Sequence, residues 1–196
     1  MSVSIMSFKI TGLSPLLMNN PASMAVPSGG LRRKAIPTPA EEALSKRYAD
    51  DKGFLYIKTI SFRSALLGAC VGRKLGRIGA RRVVSAAVFT VAETADLLDP
   101  DTGRRIKDYA VNTTGAVIMK ARIWRSRPEV PRWSCRLDLE VDGDFIAKPE
   151  PVLELLNVAG KISGVLDWRP ERGGQYGRFR AELLDNAVRA KAKAAH

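Results

Sequence analysis

The segment VLDWRPERGGQYGRF, Val165 to Phe179, places Trp168, Tyr176, three arginines (Arg169, Arg172 and Arg178) and three glycines within one loop. Guanidinium groups fork onto carboxylate or phosphate oxygens, and aromatic faces stack on bases. A residue without a Cβ tolerates positive φ and leaves room for close backbone approach. The chemistry such a loop can do is the grip of an anionic chain. Further cations recur in clusters: Arg73, Lys74, Arg77, Arg81 and Arg82; Arg125, Arg127 and Arg132; and the triplet Arg32, Arg33 and Lys34. The three- and four-residue spacings in the first cluster put several cations on one helical face, as a phosphate track requires. Arg125, Arg127 and Arg132 would clamp the backbone from the other side. For Arg169 and Arg178 phosphate contact competes with an ion pair to Asp167 or Glu171.

The residues needed for other chemistries are missing. The only histidine is His196, so a histidine base, a Ser-His-Asp triad and a histidine-ligated metal find no support. Asp99, Asp101 and Asp108 fall in a turn-rich polar stretch and read as a solvated loop. Neither a GxxxxGK[ST] loop nor a GxGxxG turn after a strand occurs, and no cofactor is expected. Cys70 and Cys135 stand far apart and read as buried small hydrophobes.

Composition agrees with a polyanion ligand. Among 196 residues, 32 Lys and Arg stand against 20 Asp and Glu, a net charge of +12, and the hydrophobic fraction of 45% can supply a core. No apolar run approaches the ~20 residues of a membrane span, and MSVSIMSFKITG lacks the features of a signal peptide. A cytoplasmic protein with no membrane partner is expected, in a prokaryotic cell or a phage-infected host.

The elements that must carry these residues follow from patterning. A first strand lies in SVSIMSFKITGLSPLLMN, followed by a long Pro- and Gly-rich loop over 19–53, interrupted by a short helix from about Ala40 to Tyr48. FLYIKTI is extended. A helix then runs from Ser61 to about Leu75 with Phe62, Ala65, Leu66, Ala69 and Cys70 on its apolar stripe. RRVVSAAVFTVA reads as a central strand. An insertion over 93–135 begins with turns at Asp99–Gly103 and between Asn112 and Gly115. Strands at Val117–Trp124 and Trp133–Val141, the latter with Trp133 facing the core, are expected to form a hairpin bent at RSRPEVPRW. A second helix spans about Pro151 to Leu166 with Pro151 near its start. RFRAELLD is the last strand, and 186–196 is a basic tail, helical or frayed.

Strand, helix, strand, strand, helix, strand is the order of an α+β, ferredoxin-like (RRM-like) antiparallel sheet with two helices, here carrying a β-hairpin insertion within a single domain over 1–185. With that order, the stretches SPLLMNN, RSRPEVPRW and DWRP…GRF resemble the RAMP superfamily of CRISPR-associated proteins, in particular the backbone subunits that polymerise along guide RNA, and short phage-encoded proteins of similar pattern. The resemblance implies a non-catalytic protein that binds single-stranded nucleic acid and forms a head-to-tail homo-oligomer or filament. The chain is shorter than the CRISPR backbone subunits, which leaves DNA as open as RNA. Two other readings remain: a metal-independent RAMP endoribonuclease, and a basic phage structural or interaction protein.

Overall fold

The computed structural model describes residues 2–21, 37–118 and 121–190, with side chains left aside at 116–118, 121–123 and 185–190. Arg32, Arg33, Lys34 and His196 lie outside the described residues. In chain order the strands and helices are β1 (Val3–Gly12), β2 (Leu16–Leu17), α1 (Pro39–Lys46), β3 (Tyr56–Lys58), α2 (Ile60–Ala69), β4 (Lys74–Leu75), β5 (Ile78–Gly79), α3 (Ala80–Ala87), β6 (Val88–Thr90), β7 (Thr94–Asp96), β8 (Ala110–Ile118), β9 (Ala121–Val130), β10 (Ser134–Asp142), α4 (Glu150–Ile162) and β11 (Phe179–Ala190). The protein is α+β, and every strand pairing is antiparallel.

The central sheet has the order β11-β1-β10-β6. Alternation decides its faces, because successive side chains of a strand point to opposite sides. Met6, Phe8 and Ile10 of β1, Leu137, Leu139 and Val141 of β10, and Phe179 and Ala181 of β11 are buried. Helices α2 and α4 pack together and supply the opposing layer, with Phe62, Ala65, Leu66 and Ala69 from one and Val152, Leu155, Leu156 and Ala159 from the other. Phe62 meets Phe179 edge to face, ring centroids 5.3 Å apart, a favoured aromatic geometry. Gly160 makes the close approach of α4 to β11 possible: a Cβ there would lie 1.9 Å from the Phe179 carbonyl oxygen. No helix among the described residues is long and apolar enough to cross a membrane.

Several sequence expectations are corrected. RRVVSAAVFTVA is mostly α3, and only Val88–Thr90 is strand. Ala80, Val83, Val84 and Ala87 are buried while Arg81, Arg82, Ser85 and Ala86 are exposed, the i, i+3, i+4, i+7 spacing of a helix hidden inside a short apolar run. The helix expected from Ser61 to Leu75 stops at Ala69. Gly72 (φ +74°) and Gly76 (φ +60°) turn the chain into the small β4–β5 hairpin. The hairpin expected between the strands flanking RSRPEVPRW joins β8 to β9 instead, and that motif lies largely within β9. Asn112–Gly115, expected as a turn, is part of β8. Trp133 occupies the core as expected, 1% exposed, its Nε1 donating to the Ser14 carbonyl at 3.0 Å. The strand β11 continues to Ala190, so residues 186–190 of the expected tail are extended.

Candidate nucleic-acid interface

Helix α4 ends where Ser163 and Gly164 both donate to the Ala159 carbonyl and Gly164 takes φ +65°, the left-handed residue that commonly closes a helix. The chain then enters the glycine-rich loop, which is laced to the segment after β1. Gly177 N–H donates to the Pro15 carbonyl (2.8 Å), Leu13 N–H to that of Arg178 (2.8 Å) and Asp167 N–H to that of Leu17 (3.1 Å). Arg178 N–H reaches Ser14 Oγ at 3.0 Å. The sequence motifs SPLL and DWRP…GRF are therefore one structural unit.

Within this unit the glycines serve the loop's own closure. A Cβ on Gly174 would sit 1.8 Å from the Trp168 carbonyl oxygen, and one on Gly177 (φ +66°) 1.9 Å from that of Val165. The expectation that they admit a ligand is thus corrected at these two positions. Gly173, at φ +74° beside the 3-10 turn Pro170–Arg172, faces open space. Leu166 (φ 61°) and Trp168 (φ 47°) are left-handed without being glycine, a strain of order 1–3 kcal/mol each that concentrates at functional sites. The strained turn presents Trp168, 38% exposed, stacked on Tyr176 with centroids 5.6 Å apart and planes 24° apart. Together they form an aromatic platform with Trp168 exposed and Tyr176 half-buried.

The β8–β9 hairpin is fastened to this platform. Asn112 Nδ2 donates to Tyr176 Oη (3.0 Å) and to Glu129 Oε2 (2.5 Å). Asn112 Oδ1 and Thr114 Oγ1, two positions apart on the same face of β8, are buried without a hydrogen-bond partner among the described residues. Arg127, its side chain only 11% exposed, pairs with Asp167 at 3.0 Å. Arg125 pairs with Glu42 at 3.3 Å, and Arg132 with Asp101 at 2.8 Å. The three arginines expected to clamp a ligand from a projecting bend instead sit in or just after β9, engaged with acidic partners. Arg169 pairs with Glu171 at 2.8 Å and donates to the Leu166 carbonyl at 3.0 Å, bracing the strained turn.

Helix α1 completes the hairpin's other side. Thr38 and Glu41 form a reciprocal capping box at its start. Glu42 Oε2 accepts from Ser126 N–H at 2.9 Å, and Lys46 Nζ donates to the Ser126 carbonyl at 3.2 Å and to Glu42. Burial pushes the Glu42 carboxyl upward, but the hydrogen bonds from Lys46 and Ser126 and the Lys46 charge outweigh it and hold the group below the usual carboxylate range.

The other cations singled out in the sequence, among the described residues, face solvent. Arg73, Lys74, Arg77, Arg81 and Arg82 are all exposed, but they are divided between the β4–β5 hairpin and the start of α3, so the single helical track is corrected to a basic knob. Arg73 reaches Glu154 loosely (3.5 Å) and Arg81 the Leu67 carbonyl (3.5 Å). Arg172 and Arg178 are exposed on the glycine-rich loop. Beside that loop, against α2, a cavity of about 300 Å³ is lined in part by Asn19, Tyr48, Ser61, Ser64, Asp167 and Arg169. Trp124, 75% exposed toward the Ile118–Ala121 end of the hairpin, is a further stacking candidate that sequence reasoning passed over. Its signal was an aromatic beside Arg125 at the end of an alternating run. Asn112 had no such signal, since its role depends on a partner 64 positions away.

Burial raises the thiols of Cys70 and Cys135 above the ordinary cysteine range, and a buried protonated thiol is inert. No group of three His, Cys, Asp or Glu side chains among the described residues could hold a metal ion.

Neither a comparison with protein families nor one with curated proteins finds a match for this chain. Among solved structures it is similar to a chain of the cryo-EM structure of the Type III-B Cmr-beta bound to cognate target RNA, with a TM-score of 0.58 and 13% identity. That likeness, one of fold, covers 96% of this chain and 61% of the other.

Proposed function

We propose that this protein binds single-stranded nucleic acid without cleaving it, as a RAMP-like subunit that assembles head to tail along the strand. The observation that carries this reading is the Trp168–Tyr176 stack, whose exposed Trp168 lies on a turn with two left-handed non-glycine residues and is accompanied on the loop by Arg172 and Arg178. Strain kept to expose a stacked aromatic pair has a purpose if bases lie on it. Arg73, Lys74, Arg77, Arg81 and Arg82 extend the positive surface for phosphates, and Trp124 offers a second ring.

The central sheet supports the fold side of the proposal. β1, β6, β10 and β11, with α2 and α4 on one face, follow the strand order of the ferredoxin-like split βαβ arrangement. The similar chain belongs to an assembly bound to RNA, which favours RNA over DNA as the first ligand to test. A fold hosts many functions, so the site carries the argument.

The test is fluorescence anisotropy with labelled RNA and DNA of one sequence, single- and double-stranded, at low and physiological salt, with electron microscopy of the bound species. Tight single-strand binding with a steep salt dependence and regular filaments is expected. Binding that is weak for every strand and vanishes at modest salt would overturn the reading, and cleavage of RNA in the presence of chelator would replace it with an endoribonuclease.

A further inference from the structure

The cavity between α2 and the glycine-rich loop encloses about 300 Å³, the small end of the roughly 300–1,000 Å³ of ligand sites. That suits one small ring system and not a length of chain. Ala65, Val165 and Leu166 give its wall an apolar part, and Tyr48, Ser64 and Asp167 a polar one. Asp167 is the most firmly placed of the polar groups. Its N–H donates to the Leu17 carbonyl at 3.1 Å, and its Oδ1 accepts from the Trp168 N–H at 3.0 Å. Oδ2 is shut off from solvent, 3.0 Å from Arg127 Nε. The side chain is nevertheless 31% exposed, so Oδ1 is the oxygen a ligand reaches. An ionised carboxylate oxygen has lone pairs for more than one donor.

Tyr48 supplies a donor to go with this acceptor. Burial, and after it Tyr56 and Asp167, hold its phenol above the ordinary value, so it keeps its proton at neutral pH. Its Oη lies 3.5 Å from the Asn19 carbonyl, beyond the roughly 2.5–3.0 Å of a well-formed O–H···O bond, and is available to a better acceptor. Arg169 also lines the cavity, but its guanidinium is engaged by Glu171 and the Leu166 carbonyl. A phosphate there would meet the Asp167 charge with no free guanidinium to offset it. A flat ligand with apolar faces and both donors and acceptors on its edge satisfies this wall, and a nucleobase is such a ligand. The carboxylate selects among bases. It accepts from an exocyclic amino group, as Asp and Glu do from cytosine N4, and repels the two carbonyl oxygens that flank the ring N–H of uracil.

We infer that this cavity is a base-selective pocket that holds one amino-bearing nucleobase, adenine, cytosine or guanine in preference to uracil. For its supply of bases the inference rests on the proposed strand binding. The placement agrees with that source. Asp167 directly precedes Trp168, so a strand that stacks one base on the platform can lower its neighbour into the cavity. The left-handed residues Leu166 and Trp168 stand on either side of Asp167, and strain of this kind persists where it serves a site. Here it sets the acceptor between platform and cavity.

Free nucleosides test the cavity apart from the strand, because they carry no phosphate for the basic surface to grip. Amide chemical shifts of the full chain are followed as adenosine, cytidine or uridine is added at ~1 M salt, where the screening length is about 3 Å. Adenosine and cytidine are expected to shift the amides of Ser64, Ala65 and Asp167 and to compete with each other. Uridine should bind at least about 10-fold more weakly, the loss of one hydrogen bond to a charged group. Ser64→Phe brings a ring to the cavity wall from an exposed position. It should abolish these shifts and weaken binding of a mixed-sequence strand while leaving oligouridine unchanged. Asp167→Asn should erase the advantage over uridine, and Trp168→Ala should leave the shifts in place. The inference is overturned if no nucleoside moves these amides, if uridine binds as well as the others, or if the shifts survive Ser64→Phe. Shifts lost with Trp168→Ala would overturn it too, since they would belong to the platform. Strands that bind where nucleosides do not would remove the pocket and leave the proposed function standing. Nucleosides in the cavity of a protein that binds no strand would do the reverse. The titration of the unaltered protein decides even if a variant fails to fold.

Discussion

Gly174→Ala tests the aromatic platform without touching a charged or aromatic side chain. The added Cβ would fall 1.8 Å from the Trp168 carbonyl oxygen and 2.3 Å from its Cδ1, against the roughly 3.5–4.0 Å of ordinary contact between carbons. Backbone cannot yield that far, so the Trp168 turn must move and the stack on Tyr176 is lost. If bases lie on that stack, the substitution forfeits about 1–3 kcal/mol per base, and Kd for single-stranded RNA rises about 5- to 150-fold. Gly173→Ala is the matched control. It sits at φ +74° in open space, so it costs about 1–2 kcal/mol of local strain while leaving Trp168 in place and affinity within scatter of the parent. The assay is anisotropy at constant salt for the parent, both alanine variants, Trp168→Ala and the Trp168→Ala/Gly174→Ala double variant, with tryptophan fluorescence reporting the moved indole. In the double variant Gly174→Ala should cost nothing further in affinity, because both changes remove the same contact. If Gly174→Ala moves the indole but binds as tightly as the parent, bases do not sit on this platform. Full additivity with Trp168→Ala would refute the coupling.

Other outcomes separate the arginine buried in an ion pair from those on the exposed rim. Arg127→Met strands Asp167 in a half-buried site and is expected to cost about 2–3 kcal/mol in urea denaturation. Arg172→Ala and Arg178→Ala, on the exposed rim, should leave stability unchanged and each reduce the slope of log K against log salt by about 0.7 in binding titrations. Gly160→Ala forces a Cβ against the Phe179 carbonyl and should destabilise the whole fold by about 3 kcal/mol, read from the thermal midpoint. Glu42 is held below its ordinary pKa in the folded state. Its contribution is therefore complete above the unfolded carboxylate value and lost as pH falls through the depressed folded one. Denaturation of the parent and Glu42→Gln should differ by about 1–2 kcal/mol at neutral pH and converge in acid.

Legibility in the sequence tracked how local each interaction is. β1, α1, α4 and the core positions of β10 were readable because alternation, caps and apolar stripes are local patterns. The segment Ala80–Ala87 misled because an apolar run of that length satisfies strand and helix alike, and what decides is whether Arg81 and Arg82 can reach water while Val83 and Val84 are buried. The hairpin β8–β9 was misassigned because the prolines of RSRPEVPRW suggest a bend. Pro128 is tolerated inside a strand there because its missing N–H falls at a non-hydrogen-bonded pair.

By itself, the sequence determined that this protein is basic, α+β, without histidine chemistry outside residue 196, and equipped with an arginine- and aromatic-bearing glycine-rich loop. Those are matters of composition and short-range spacing. Which cations remain available was decided only by tertiary structure. Arg125, Arg127, Arg132 and Arg169 have the same chemistry as Arg172 and Arg178, but folding sets Glu42, Asp167, Asp101 and Glu171 beside the first four. Three of those pairs join residues distant in the chain, and an ion pair between elements is created by packing that no local pattern encodes.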